Sequence, residues 1–146
     1  MASVILGLDI GGANLKAATT DRRATVMPFA LWNQPDQLKS ILAELIKQFS
    51  EAEELAVTMT GELCDCFRTK RDGVNHILNA VLGVCRSRPV GVWTTDGEFV
   101  TTEQARNQYL KVASANWHAL ATLAGNYAPR GTTLLIDIGS TTTDLI

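Results

Sequence analysis

From Ser3 to Ile10 apolar residues occupy both parities and the run stops at Gly11-Gly12, the pattern of a central strand entering a tight turn. A second strand follows over Asn14 to Thr20. Asp21-Arg22-Arg23 makes a polar turn, and Ala24 to Leu31 completes a three-strand meander. Leu38, Ile41, Leu42, Leu45, Ile46 and Phe49 then recur at i, i+3, i+4 spacing, which predicts an amphipathic helix. Leu55 to Thr60 is a short apolar strand, and Val74, Ile77, Leu78, Val81, Leu82 and Cys85 repeat the helical rhythm after Gly73. Arg86 and Arg88 stand where that helix should end. Val90 to Thr94 reads as the next strand, with Asp96-Gly97 as its turn. One long helix is expected from Thr101 or Thr102 towards Asn126, because Ala105, Tyr109, Val112, Ala113, Asn116, Leu120 and Leu123 share a face. Pro129 and Gly131 mark its end, Leu134 to Asp137 is a buried-type strand, and a Thr-rich strand starts at Thr141.

This order, three strands and then alternating helix and strand, gives an α/β lobe over residues 1–130. Residues 131–146 begin a new strand pair without helices after it, so we expect there the first strands of a truncated second lobe. The chain's 146 residues suffice for one well-buried domain, not two.

Composition removes several functions. Hydrophobic residues make up 46% of the chain and charged residues 19%, which excludes disorder and low complexity. The formal net charge of -2 supplies no field for nucleic acid or anionic lipid. The apolar run Val4 to Leu8 stops at Asp9 without a basic leader, so neither a signal peptide nor a membrane anchor is expected. Three cysteines, Cys64, Cys66 and Cys85, lack a disulfide framework spacing and read as thiols of a reducing, cytoplasmic compartment. With His76 they match no common structural zinc site.

One pattern carries chemistry because it occurs twice. Leu8-Asp9-Ile10-Gly11-Gly12 matches Ile136-Asp137-Ile138-Gly139-Ser140, each after an apolar strand. Small turn residues let backbone N–H groups approach phosphate oxygens, and an Asp at the strand end can hold Mg²⁺ directly or through water. Two such hairpins facing each other would clamp one polyphosphate.

These hairpins resemble the two phosphate motifs of the actin-like ATPase superfamily, which includes sugar kinases, actin and heat-shock chaperones. The resemblance implies a ribonuclease-H-like actin/sugar-kinase-type lobe. It also implies that Asp9 and Asp137 face Mg²⁺, that Lys16 approaches a phosphate, and that Gly11, Gly12, Asn14, Gly139, Ser140, Thr141 and Thr142 line the phosphate turns. The Gly-Gly-Ala-Asn-Leu-Lys turn and the Thr-Met-Thr-Gly-Glu-Leu-Cys-Asp-Cys-Phe segment are similar to the hydantoinase/oxoprolinase-like branch. So are Lys70 to Val74, Ala115-Asn116-Trp117 and the Ser-Thr-Thr-Thr-Asp ending. Within that branch the likeness is to proteins of tetrahydromethanopterin-linked one-carbon transfer and methanofuran biosynthesis. It implies a Mg²⁺-dependent transferase that joins an aminomethylfuran diphosphate to a phenolic, glutamyl-tyramine-like acceptor and releases diphosphate. An ATP-dependent kinase, an amidohydrolase of the same fold, and a non-catalytic lobe completed by a partner chain stay open as alternatives. So does homo-oligomerisation.

Glu62, close behind a central strand, is the candidate to activate the phenol or bind an amine. Thr58, Thr60 and Asp65 lie near it on a ligand-facing edge. Lys70 and Arg71, in a basic loop after Arg68, could meet a substrate carboxylate or phosphate, and Asn116, inside the long helix, needs a polar partner.

Overall fold

The computed structural model describes residues 3–128, 130–138 and 143–146. The expected meander is present as β1 (Ile5–Ile10), β2 (Asn14–Thr19) and β3 (Ala24–Pro28). β4 (Glu54–Met59) runs parallel to β1, and β5 (Val90–Trp93) runs parallel to β4. Parallel neighbours require a crossover, and α1 (Leu38–Lys47) and α2 (Lys70–Leu82) provide the two. The strand order β3-β2-β1-β4-β5-β6, with β2 antiparallel in the middle of the first half, is that of a ribonuclease-H-like α/β lobe.

Burial alternates along the central strands, so the two sheet faces differ. Leu6, Leu8 and Ile10 of β1 and Leu55, Val57 and Met59 of β4 join the apolar residues of α1 and α2 in one core. The alternate positions Gly7, Asp9, Ala56 and Thr58 point to the opposite face.

Several expectations are corrected. α2 starts at Lys70 because the Thr69 hydroxyl caps it, accepting from the Asp72 N–H at 3.1 Å. Lys70 and Arg71 therefore form a helix's first turn, not a loop. Gly73 lies inside α2, where a Cβ would come within 2.6 Å of the Glu62 carbonyl oxygen. Arg88 does not serve the helix end: its guanidinium donates to the carbonyls of Ala52 (2.7 Å) and Ser50 (3.2 Å). The Asp96-Gly97 turn leads into a two-residue edge strand, β6 (Phe99–Val100), that no periodicity announces.

The single long helix expected from Thr101 to Asn126 is three: α3 (Thr102–Asn107), α4 (Tyr109–Val112) and α5 (Asn116–Gly125). Gln108 leaves the helical region (φ −113°, ψ 42°), and Ser114 is left-handed at φ 53°. Tertiary contacts explain the break: Ala113 bridges to Met59, and the Ser114 N–H donates to Glu62. At the other end of the chain β7 (Ile136–Ile138) pairs antiparallel with β8 (Thr143–Leu145), setting Asp137 opposite Asp144 in a separate two-stranded sheet. Gly139, Ser140, Thr141 and Thr142, expected in the second phosphate turn, lie outside the described residues. No described helix is long and apolar enough to cross a membrane.

Candidate ligand-binding site

The first glycine hairpin builds the site's charged end. Its register sets Asp9 against Lys16, and the Lys16 ammonium donates to Asp9 Oδ2 at 3.1 Å. The lysine side chain is 59% exposed and the aspartate 22%, so the pair sits at a rim. Asp9 Oδ1 is buried without a partner among the described residues. In the turn, the Gly11 N–H donates to the Asn14 carbonyl at 3.0 Å, while the carbonyls of Gly12 and Ala13 accept from Leu31 (2.9 Å) and Phe29 (3.0 Å). The turn is thus pinned by the segment after β3. It has no room for side chains: a Cβ on Gly11 would lie 2.9 Å from the Asn14 oxygen, and one on Gly12 would lie 2.8 Å from Cys64 Sγ.

Across the sheet, Asp9 is paired in register with Thr58 of β4. Thr58 lies one step beyond the Val57–Val92 pair, which brings Trp93 of β5 alongside. Thr58 Oγ1 and Trp93 Nε1 are, like Asp9 Oδ1, buried and unpartnered among the described residues. All three residues line a groove of about 630 Å³ between this sheet face and α5. Its walls are apolar, with Ala18, Gly7 and Ala56 on the sheet and Leu123 on the helix. Trp93 was not among the residues singled out by sequence; only the parallel register of three strands shows that it belongs to this row.

Glu62 follows β4 in a single 3₁₀ turn, Gly61–Leu63, and is 2% exposed. Its Oε1 accepts from the Ser114 N–H at 2.8 Å and from the Ser114 hydroxyl at 3.1 Å, whereas Oε2 is buried without a partner among the described residues. Burial pushes the Glu62 carboxyl above its ordinary range, opposed in part by the hydrogen bonds from Ser114 and by the charge of Lys70. The structure therefore brings Glu62 together with the α4–α5 corner.

The other candidates are spread around this centre. Thr60 is half-buried at the end of β4, with its hydroxyl 3.6 Å from where a Gly11 Cβ would be. Lys70 is exposed at the start of α2, and the Arg71 guanidinium lies over the Tyr109 ring at 4.6 Å. Asn116 opens α5 and is half-buried there, a helix start and not a helix interior. The cysteines are free thiols, and burial together with the neighbouring Cys66 pushes the Cys64 thiol up to about 11, too high for a thiolate at neutral pH.

The donor set bears on magnesium. Among the described residues no three His, Cys, Asp or Glu side chains gather as a cage. Mg²⁺ is commonly held by one or two carboxylates and completed by water and substrate phosphates. The unpartnered hard oxygen of Asp9 beside a glycine turn fits that mode.

Comparison with known proteins adds family information. The sequence profile of the hydantoinase/oxoprolinase family matches residues 53–146. Over 150 aligned residues the chain is 36% identical to (4-{4-[2-(gamma-L-glutamylamino)ethyl]phenoxymethyl}furan-2-yl)methanamine synthase of Methanocaldococcus jannaschii. That match covers 100% of this chain and 44% of the synthase, so the chain spans less than half the length of that relative. Among solved structures, T. thermophilus RuvC in complex with Holliday junction substrate aligns with a TM-score of 0.42 at 18% identity. The alignment covers 63% of this chain and 64% of RuvC.

Proposed function

The chain belongs to the hydantoinase/oxoprolinase family, and from that premise we propose that it is the diphosphate-binding lobe of a transferase in methanofuran-type cofactor synthesis. Residues 131–146 are, in this reading, the first strands of a second such lobe. The reaction joins an aminomethylfuran diphosphate to a phenolic acceptor. A bond forms between the phenol oxygen and the furfuryl carbon, the carbon–oxygen bond to diphosphate breaks, and the electron pair leaves with diphosphate. The observation that carries the reading is the unpartnered Asp9 Oδ1 beside Lys16 at a glycine turn, in a chain 36% identical to a synthase whose printed name contains a phenoxymethyl furan.

In this reading each site residue has a role. Gly11 and Gly12 let the turn close tightly against Asn14 and Cys64, and the turn so shaped, with Asn14, takes the phosphate end of the substrate. Lys16 supplies a positive charge at the rim for the leaving diphosphate. Asp9, with Asp137 from the second hairpin, would hold Mg²⁺, which when bound neutralises charge on the departing phosphates. Gly139, Ser140, Thr141 and Thr142 would cradle the second phosphate. Glu62 takes the phenol proton through Oε2, its free oxygen, since burial shifts its carboxyl towards the range in which a general base works. Thr60, Lys70, Arg71 and Asn116 contact the remainder of the substrates.

Diphosphate release from an aminomethylfuran diphosphate and a tyramine-type phenol tests this in the protein as its host makes it. Asp9→Asn should lower the rate by two orders of magnitude or more, roughly 3 kcal/mol of lost charge stabilisation, with the fold intact by circular dichroism. Unchanged release would remove the hairpin from the chemistry. Turnover of ATP without diphosphate release would transfer the site to a kinase or amidohydrolase.

A further inference from the structure

Arg86 and Arg88 follow the end of α2, and nothing at the glycine hairpin makes use of them. Both line a second groove, of about 730 Å³, between α1 and the chain leaving α2. It lies at the amino ends of the parallel strands: Ser50 precedes β4 and Arg88 precedes β5, whereas Gly11 and Gly12 follow the carboxyl end of β1. A strand of six residues separates the two places by about 20 Å.

The charge of this groove is one-sided. Lys39, Lys47, Arg86 and Arg88 line it against one acid, Asp36. They are four of the 13 cationic side chains of a chain whose formal net charge is -2. Among the described residues none of the four belongs to an ion pair. α1 and α2 both end here, and helix carboxyl ends attract cations, but each amounts to only about half a charge. Their carbonyls are also taken: those of Leu45 and Ile46 accept from Gln48 and Phe49, and those of Asn79 and Val81 accept from Gly83 and Val84. After Asp36 and both helix ends are counted, an excess of about two positive charges is left over.

The two arginines are placed by the backbone. Arg88 is half-buried, and its Nε and Nη2 donate to the carbonyls of Ala52 and Ser50. Those bonds fix the guanidinium and leave Nη1 and one hydrogen of Nη2 as unused donors beside Ser50, which lines the same groove. Arg86 is the second residue of a turn closed by the Arg88 N–H on the Cys85 carbonyl at 3.2 Å, and its φ is 58°. Glycine or asparagine suits that left-handed backbone, and arginine adopts it at a cost. Backbone strain beside unpaired charge points to a ligand more than to the fold.

α1 orders the groove from end to end. Lys47 stands one helical turn before Ser50, so Lys47, Arg86 and Arg88 gather at one end. Lys39 and Asp36 mark the other end, where Lys39 Cε lies 2.7 Å from the place of a Gly83 Cβ. Ala43, Ile46 and Val84 lie between. Three cations match a group with three oxygens and a charge near two. A phosphate monoester has both at neutral pH, whereas a carboxylate has two oxygens and one charge.

We propose that this groove binds the phosphate monoester of a small organic molecule. Lys47, Arg86 and Arg88 take the phosphate oxygens, and the organic body lies along Ala43, Ile46 and Val84. The site is independent of the proposed function, and its ligand is too far from Asp9 to be a substrate there.

The probe is phenyl phosphate, titrated into ¹⁵N-labelled protein at about pH 7.5, where the monoester is dianionic. The amides of residues 47–50 and 84–88 should shift to saturation with a dissociation constant of about 1 mM. Inorganic phosphate, which lacks the body, should bind several-fold more weakly, and benzoate roughly tenfold more weakly. Lys47→Gln should weaken phenyl phosphate roughly tenfold, the value of one hydrogen bond to a charged group. Arg86→Gly should weaken it by a similar factor while raising the melting temperature, because glycine takes φ 58° without strain. Lost binding in a more stable protein excludes damage to the fold as the cause. No saturating shift up to about 10 mM, equal affinity for benzoate, shifts confined to the Gly11 and Gly12 amides, or affinity unmoved by both variants would overturn the proposal.

Discussion

Glu62 concentrates the chain's tension between stability and chemistry in one side chain. It is buried, one oxygen is held twice by Ser114, and the other has no partner among the described residues. Burial raises its carboxyl in the folded state above the ordinary 4.5, so the folded chain holds that proton more tightly than the unfolded chain does. The contribution to stability is therefore full below pH 4.5 and declines as pH rises towards the raised folded value. Glu62→Gln keeps an acceptor for Ser114 and never ionises. Its melting temperature should match the wild type near pH 4 and exceed it near pH 8, which thermal unfolding across that range measures. Loss of turnover in the same variant would mark Glu62 as chemistry retained at a cost in stability. How such residues could be read in advance differs. Asp9 and Lys16 were each singled out through the resemblance of their hairpin to a phosphate motif, and only the strand register shows them as a cross-strand pair. Glu62 was legible as a polar residue at a strand's end, but its partner Ser114, 52 positions away, was not.

Helices and strands with one buried face were readable wherever that face repeated regularly. α1 and the strands β1 to β5 lie within a few residues of where their apolar positions put them. The segment after Thr101 failed that reading because its interruption has a distant cause. Ala105, Val112 and Ala113 are buried as its periodicity predicts, yet Ser114 is forced to φ 53° so that its N–H and hydroxyl can reach Glu62. A helix continued through Ser114 would leave Glu62 with neither bond. Two substitutions separate the terms. Ser114→Ala keeps the left-handed strain and loses the hydroxyl's bond, so it should destabilise the fold by about 1–2 kcal/mol. Ser114→Gly loses the same bond but relieves strain worth about 1 kcal/mol, and should lie close to wild type. Chemical denaturation distinguishes them. If alanine were tolerated better than glycine, backbone strain at the corner would not be what the Glu62 contacts hold in place.

Across the whole molecule the two faces of the sheet are unequally covered, and this sets where the lobe opens. α2 buries Val74, Ile77, Leu78, Ala80 and Val81 against the core face, whereas α5 has no fully buried residue although its sequence is apolar nearly all round. A helix of that composition gains stability only from what lies against it. Against α5 lies the groove, with Leu123 54% exposed and a floor of glycine and alanine offering little area. Local opening follows local burial, so amide exchange in residues 116–125 should outpace that in residues 70–82 on the order of a hundredfold, by mass spectrometry or NMR. The difference is consequential for the site. Trp93 and Thr58 stand on central strands, while the helix over them, α5, has no fully buried residue. Equal exchange in the two helices would mean that α5 opens only with global unfolding, and that its missing buried contacts do not set its stability.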